Sequence, residues 1–255
     1  MLNETTIGEV LRISNAEGAG DVVVICEHAS ARIPDVLDGL GLDASNRHAH
    51  AVWDPGALRV AEHIAQILSA PLAQAEISRL VYDLNRPPDA PGAMPAKSEL
   101  VDVPGNVDLM QSERDQRTAL IYNPFCQAVN DLLDARLARR QFTAVVTIHS
   151  FTPVYYGKDR PTEIGILHDS DTRLADAMLA QPAPRRTDRN MPYGPEDGVT
   201  HSLQLYGINR GLANVMIELR NDLLTNDADC IRMADEILVM LRPALARVIA
   251  EEGAK

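Results

Sequence analysis

Apolar runs and amphipathic stretches alternate along the chain. Within DVVVICEHAS, residues 21–30, Val22 to Ile25 form a short continuous apolar run, the pattern of a strand covered on both faces, and Glu27 and His28 follow at its end. FTAVVTIHSFTP, residues 142–153, repeats the arrangement: Val145, Val146 and Ile148 read as a strand interior and His149 stands at its carboxyl end. Between them, Ala57, Val60, Ala61, Ile64 and Leu68 recur at helical spacing, with Asp54 and Pro55 where a helix would start. Asp54 therefore reads equally as a helix N-cap and as a functional carboxylate. PLAQAE supplies a second short strand, which opens into a long loop rich in Pro and Gly. Residues 112–140 carry a helical stripe of Leu120, Phe125, Val129, Leu132, Leu133 and Leu137, with an interruption expected near Pro124.

EIGILHD, residues 163–169, alternates as a strand does, and 181–211 is irregular and mixed in charge, a lid or substrate loop ahead of the next strand. That strand lies in ANVMIELRNDLL, where Val215 and Ile217 point one way and Met216 and Glu218 the other. A glutamate within an apolar strand is expensive to bury without a partner or a function. Met233, Ile237, Met240, Leu241, Leu245 and Val248 close the chain as an amphipathic helix over 229–250, whereas residues 1–20 carry little pattern. Strands alternating with helices predict a doubly wound α/β layer structure.

Composition narrows the function. The 255 residues, 45% apolar and 24% charged, suit one globular domain spanning 1–255. A net charge of −12 argues against nucleic acid, which favours a basic surface, while a few local arginines would still hold a small anionic substrate. Cys26, Cys126 and Cys230 are an odd number without CxxC spacing and read as reduced thiols. The start MLNETTIGEV lacks signal-peptide character, and no apolar run is long enough to span a membrane, so a cytoplasmic location is expected. Nothing in the pattern fixes the oligomeric state, which leaves room for a homo-oligomer.

In open α/β sheets, ligands gather at the carboxyl ends of strands. The polar groups expected there are His28, Asp54 and His149 as candidate metal ligands and Glu218 as a carboxylate near them, with Arg79, Asn85, Arg86 and Arg220 as anion holders. Two histidines and one carboxylate leave one position open on zinc, the usual catalytic arrangement. HExxH, phosphate-loop and GxSxG motifs are absent, so the site rests on position rather than on a compact motif. His48 and His50 are too close in sequence to share one helix face as a metal pair, and His63 reads as a surface or core histidine.

The blocks CEHASARIP, HAVWDPGA, SRLVYDLNRPP and IHSFTP, with the run from NMPYGPEDGVTHSL to VMIELRNDLL, resemble the N-formylglutamate amidohydrolase family, in matching order over about residues 20 to 225. The resemblance implies a zinc-dependent amide hydrolase with an αβα fold, built on a mixed, mostly parallel sheet like that of zinc carboxypeptidases and aspartoacylases. Such relatives hold the metal by a His, a Glu three residues later and a second His. Here Ala31 stands three after His28, so Asp54 takes the carboxylate's place, with Glu27 as the alternative. By the same resemblance, Arg79 and the pair Asn85 and Arg86 hold the substrate carboxylate and polarise the carbonyl, and Glu218 is the catalytic base. Tyr206 stands where a His is common and implies a changed substrate contact. The implied reaction releases formate and glutamate from N-formyl-L-glutamate, as in histidine breakdown. Another N-acyl amino acid or small peptide as substrate, or a non-catalytic carboxylate binder, is the alternative.

Overall fold

The strongest apolar runs become the centre of a seven-stranded sheet. In the computed structural model, which describes residues 2–254, these strands are β1 (Leu11–Ser14), β2 (Val22–Cys26), β3 (Leu72–Ala75), β4 (Ala144–Phe151), β5 (Ile164–Leu167), β6 (Thr187–Arg189) and β7 (Asn214–Arg220). Their spatial order is β1-β3-β2-β4-β7-β5-β6. The pairs β2/β3, β2/β4, β4/β7 and β5/β6 are parallel, while β1/β3 and β5/β7 are antiparallel, so the sheet is mixed and mostly parallel. Every residue of β2, β3 and β4 is buried, as strands covered on both faces require.

Helices α1 (Ala57–Ile67), α2 (Asn123–Ala138), α3 (Arg173–Leu179) and α4 (Asp227–Gly253) supply the outer layers. Alternate strand residues divide between the two faces. Val22, Val24, Val146, Ile148, Val215 and Ile217 pack against α1, α3 and α4, whereas Val23, Ile25 and Val145 pack with Phe125, Val129 and Leu133 of α2. The result is a three-layer αβα arrangement. No helix among the described residues is long and apolar enough to cross a membrane, and all three cysteines are buried and unpaired.

Three features, one of them the expected break near Pro124, have local causes. The two outermost strands, β1 and β6, are short and partly exposed, so neither carries a strong apolar run. The break near Pro124 is a five-residue π turn, Thr118–Tyr122, joining helix Gln111–Arg117 to α2; the widened turn lies just before a proline that has no N–H to donate. The N-cap of α1 is Gly56, with no side-chain hydrogen bond, which frees Asp54 from capping.

Arg136 of α2 is fully buried and ties the polar amino-terminal segment to the sheet. Its Nη1 donates to the Gly18 carbonyl at 2.8 Å and Nε to Thr143 Oγ1 at 3.0 Å, while Nη2 reaches the Gly20 carbonyl. Arg136→Ala removes these donors together and leaves a cavity, so urea unfolding is expected to show a loss of about 3 kcal/mol.

Candidate active site

Strand register sets the site. In the parallel pair β4/β7, His149 lies opposite Glu218, and the adjoining strand β2 ends at Cys26, immediately before Glu27 and His28. Three strand ends thus deliver two imidazoles and two carboxylates to one place. Asp54 arrives from the turn before α1: its backbone N–H donates to the His28 carbonyl at 3.0 Å, and its Oδ2 accepts the Ser150 N–H at 3.2 Å.

The Nδ1 atoms of His28 and His149 face each other at 3.1 Å, and Asp54 Oδ2 lies 3.2 Å from the first and 3.0 Å from the second. One suitable ligand atom from each residue lies within 4.8 Å of the others, and all three side chains are buried. Metal–ligand bonds of 2.0–2.2 Å in a tetrahedral array put neighbouring ligand atoms about 3.3 Å apart, so this donor set fits a small cation.

Behind each imidazole stands another carboxylate. His28 Nε2 is 2.8 Å from Asp83 Oδ1, and His149 Nε2 is 3.2 Å from Glu27 Oε2, an ion-pair distance without the alignment of a hydrogen bond. Such partners fix ring orientation and leave both Nδ1 atoms turned inward. Glu27 therefore contacts the outer nitrogen of His149, while Asp54 lies against the inner one.

Charge follows this geometry. Burial opposes ionisation of Asp83, but His28 and Arg79 hold its carboxyl far below the usual range; burial opposes Asp54 as well, and His28, His149 and His50 together hold it well below that range. Burial also opposes the charge on His149, yet Glu27 and Asp54 hold its pKa well above the ordinary value. Glu218 differs: burial pushes its carboxyl up to about 7, with His149 pulling downward and Asp54 adding to the rise. One of its oxygens, Oε2, is buried without a hydrogen-bond partner. A carboxylate near 7 beside a candidate cation site is suited to accept and return a proton near neutral pH.

A cavity of about 250 Å³ opens over these groups, lined by His28, Asp54, Arg79, His149 and Glu218 among others. Arg79 joins the two carboxylates at its floor, donating from Nη1 to Asp54 Oδ1 at 3.3 Å and from Nη2 to Asp83 Oδ2 at 2.9 Å. Asn85 and Arg86 line the cavity too, but they grip the 190–202 loop. The Asn85 amide donates to the Val199 carbonyl at 2.6 Å and accepts the Ser202 N–H at 2.9 Å, and Arg86 Nη1 donates to the Gly198 carbonyl at 2.6 Å. Gly165 of β5 permits this loop to close in, because a Cβ there would stand 1.9 Å from the Met191 carbonyl oxygen.

Two predicted contacts lie elsewhere. Arg220, at the end of β7, pairs through Nε with Asp222 at 2.8 Å and donates from Nη1 to the Arg160 carbonyl at 3.3 Å. Tyr206 is fully buried, with its hydroxyl directed to Cys126 Sγ at 3.3 Å. Neither is among the residues lining the cavity. Conversely, Asp83 lines it although the sequence pattern did not single it out, and so does His50, which the sequence pattern set aside as a helical metal pair with His48. His50 lies 3.6 Å from both Asp54 and Glu99, and burial brings its pKa down to about 4. His63 instead pairs with Asp235 of α4 at 2.9 Å, outside the site.

The fold and the site together define an αβα protein with a polar histidine–carboxylate centre at the carboxyl ends of parallel strands. The chain belongs to the N-formylglutamate amidohydrolase family, whose pattern matches residues 20–225, the span over which the sequence blocks resemble it. Among solved structures, a gene product from Agrobacterium tumefaciens is 49% identical, with a TM-score of 0.94, covering 96% of this chain and 98% of its own. An N-formylglutamate amidohydrolase from Ralstonia eutropha is 17% identical, with a TM-score of 0.65, covering 92% of this chain and 97% of its own, a likeness of fold. Among curated proteins none matches.

Proposed function

We propose that this protein is a zinc-dependent amidohydrolase that cleaves N-formyl-L-glutamate to formate and L-glutamate. The observation that carries the reading is the convergence of His28, Asp54 and His149 on one point beside a buried carboxylate, Glu218, whose pKa is raised to about 7. His28, Asp54 and His149 would hold the ion, which when bound polarises a carbonyl and makes water a stronger acid. Glu218 takes the proton of the attacking water and returns it to the departing amine nitrogen. Arg79 is fixed by Asp54 and Asp83 and sets a positive charge in the cavity lining, where negative charge develops on the carbonyl oxygen. Asn85 and Arg86 hold the loop wall against the cavity, which limits water around the reacting groups.

The test is formate release from N-formyl-L-glutamate by zinc-loaded protein, with a chelated sample beside it. Release that disappears on chelation and returns on adding zinc is the expected result. Its absence from folded, zinc-containing protein would discard this substrate.

A further inference from the structure

The catalytic cavity shares a wall with a second chamber of about 500 Å³: Arg86, Tyr155, Tyr193 and Val199 line both. Arg160 lines the second chamber and stands against that wall, its guanidinium carbon 4.1 Å from the Tyr155 ring centroid and 4.8 Å from that of Tyr193, with Phe151 at 5.7 Å. Its backbone is held from two sides, the N–H donating to the Pro153 carbonyl at 2.7 Å and the carbonyl accepting from Arg220 at 3.3 Å. The aromatic faces favour the cation, the Tyr193 side chain hydrogen-bonds to it, and Nη1 is buried without a partner of its own. This guanidinium lines the chamber, fixed in place and with no carboxylate paired to it among the described residues, which leaves its chamber-facing edge open to one.

The cations of the catalytic cavity itself are less free. Both Nη groups of Arg79 are engaged by carboxylates, Arg86 Nη1 is held by the Gly198 and Asn85 carbonyls, and Lys97 is paired with Asp102 at 2.8 Å. Glu99, also in that lining, repels a second negative group near His50. We propose that Arg160 is the receptor for the side-chain carboxylate of the substrate, so that the scissile amide lies in the catalytic cavity, the acidic side chain reaches the shared wall, and acidic N-acyl amino acids are selected. This rests on the hydrolase reading above, and it gives Arg220 a positioning role, through the Arg160 backbone.

The experiment is calorimetric binding of L-glutamate and L-glutamine to the zinc-loaded protein, and to its Arg160→Gln and Arg160→Lys variants, with formate release from the two N-formyl derivatives measured separately. Wild type is expected to prefer glutamate by about 10- to 100-fold. Arg160→Gln should erase that preference through a loss of glutamate affinity alone, and raise KM for N-formyl-L-glutamate with little change in kcat. Arg160→Lys keeps the charge without the planar fork and should retain part of the preference, which carries the test if the glutamine variant does not fold. A wild type without preference, a preference unchanged in the variants, or an equal loss for both ligands in folded variants overturns the proposal. An Arg160-dependent preference without formate release would keep the receptor and discard the reaction.

Discussion

Glu218→Gln is expected to fold, to take up metal as wild type does, and to lose about 10²- to 10⁴-fold in kcat. Glutamine matches glutamate in shape but cannot accept the proton of the attacking water. Because Glu218 sits opposite His149 in the β4/β7 register and outside the converging set of His28, Asp54 and His149, the change removes the base while leaving that set in place. Turnover and zinc content, measured on the same samples, check both parts; wild-type turnover in a zinc-replete variant would remove Glu218 from the chemistry. The pH profile sharpens the test. A base must be ionised to act, so the wild-type rate falls on the acid side, and in metal-free protein the carboxyl should titrate at about 7. A bound dication favours the charged form and moves that limb below 7. In metal-free protein the raised pKa also favours folding at low pH, a contribution lost as pH rises from 4.5, the ordinary value, to about 7. The glutamine variant should lack both dependences.

Asp54→Ala should abolish stable zinc binding and, with it, activity. Asp54 Oδ2 touches both inward imidazole nitrogens and the Ser150 N–H, while Oδ1 receives Arg79. Its removal takes away one of three ligands and leaves two imidazoles with their inner nitrogens 3.1 Å apart. The protein without metal should remain folded, since α1 draws no cap from this side chain. Metal content after dialysis, read beside the circular dichroism spectrum, checks both statements. Normal zinc content would transfer the ligand role to another carboxylate, and Glu27 would reach the site only if His149 turned away from it.

The sheet was legible where burial imposed continuous apolar runs: β2, β4 and β7 carry the centre of the fold and deliver His28, His149 and Glu218 at or near their carboxyl ends. The edge strands were not, because LRIS and TDR are short and half in water, and their pairing depends on partners distant in sequence. Asp54 carried two readings because Asp-Pro before an apolar stripe is also how helices begin, and only the Gly56 cap decides between them. Asp83 sits in a nonrepetitive segment after β3, so no periodicity marks it; its signal was a carboxylate amid the apolar Leu80, Val81, Tyr82 and Leu84, the neighbourhood that makes an isolated charge costly. Arg220 follows Glu218 by two residues and shares its side of the strand by alternation, yet the chain turns there and Asp222 takes the guanidinium.

Asn85 and Arg86 grasp the loop through the carbonyl oxygens of Gly198 and Val199 and the N–H of Ser202, groups that every residue type possesses except that proline has no N–H. Such a grip is nearly blind to the loop's own side chains. Substitutions at Tyr193 or Val199 can thus alter the surface offered to a ligand without removing these bonds, though both side chains also pack against Leu167, Leu203 and Met216. The architecture separates a backbone-held frame from an exchangeable lining, so ligand preference can change along this loop without each change having to rebuild these bonds.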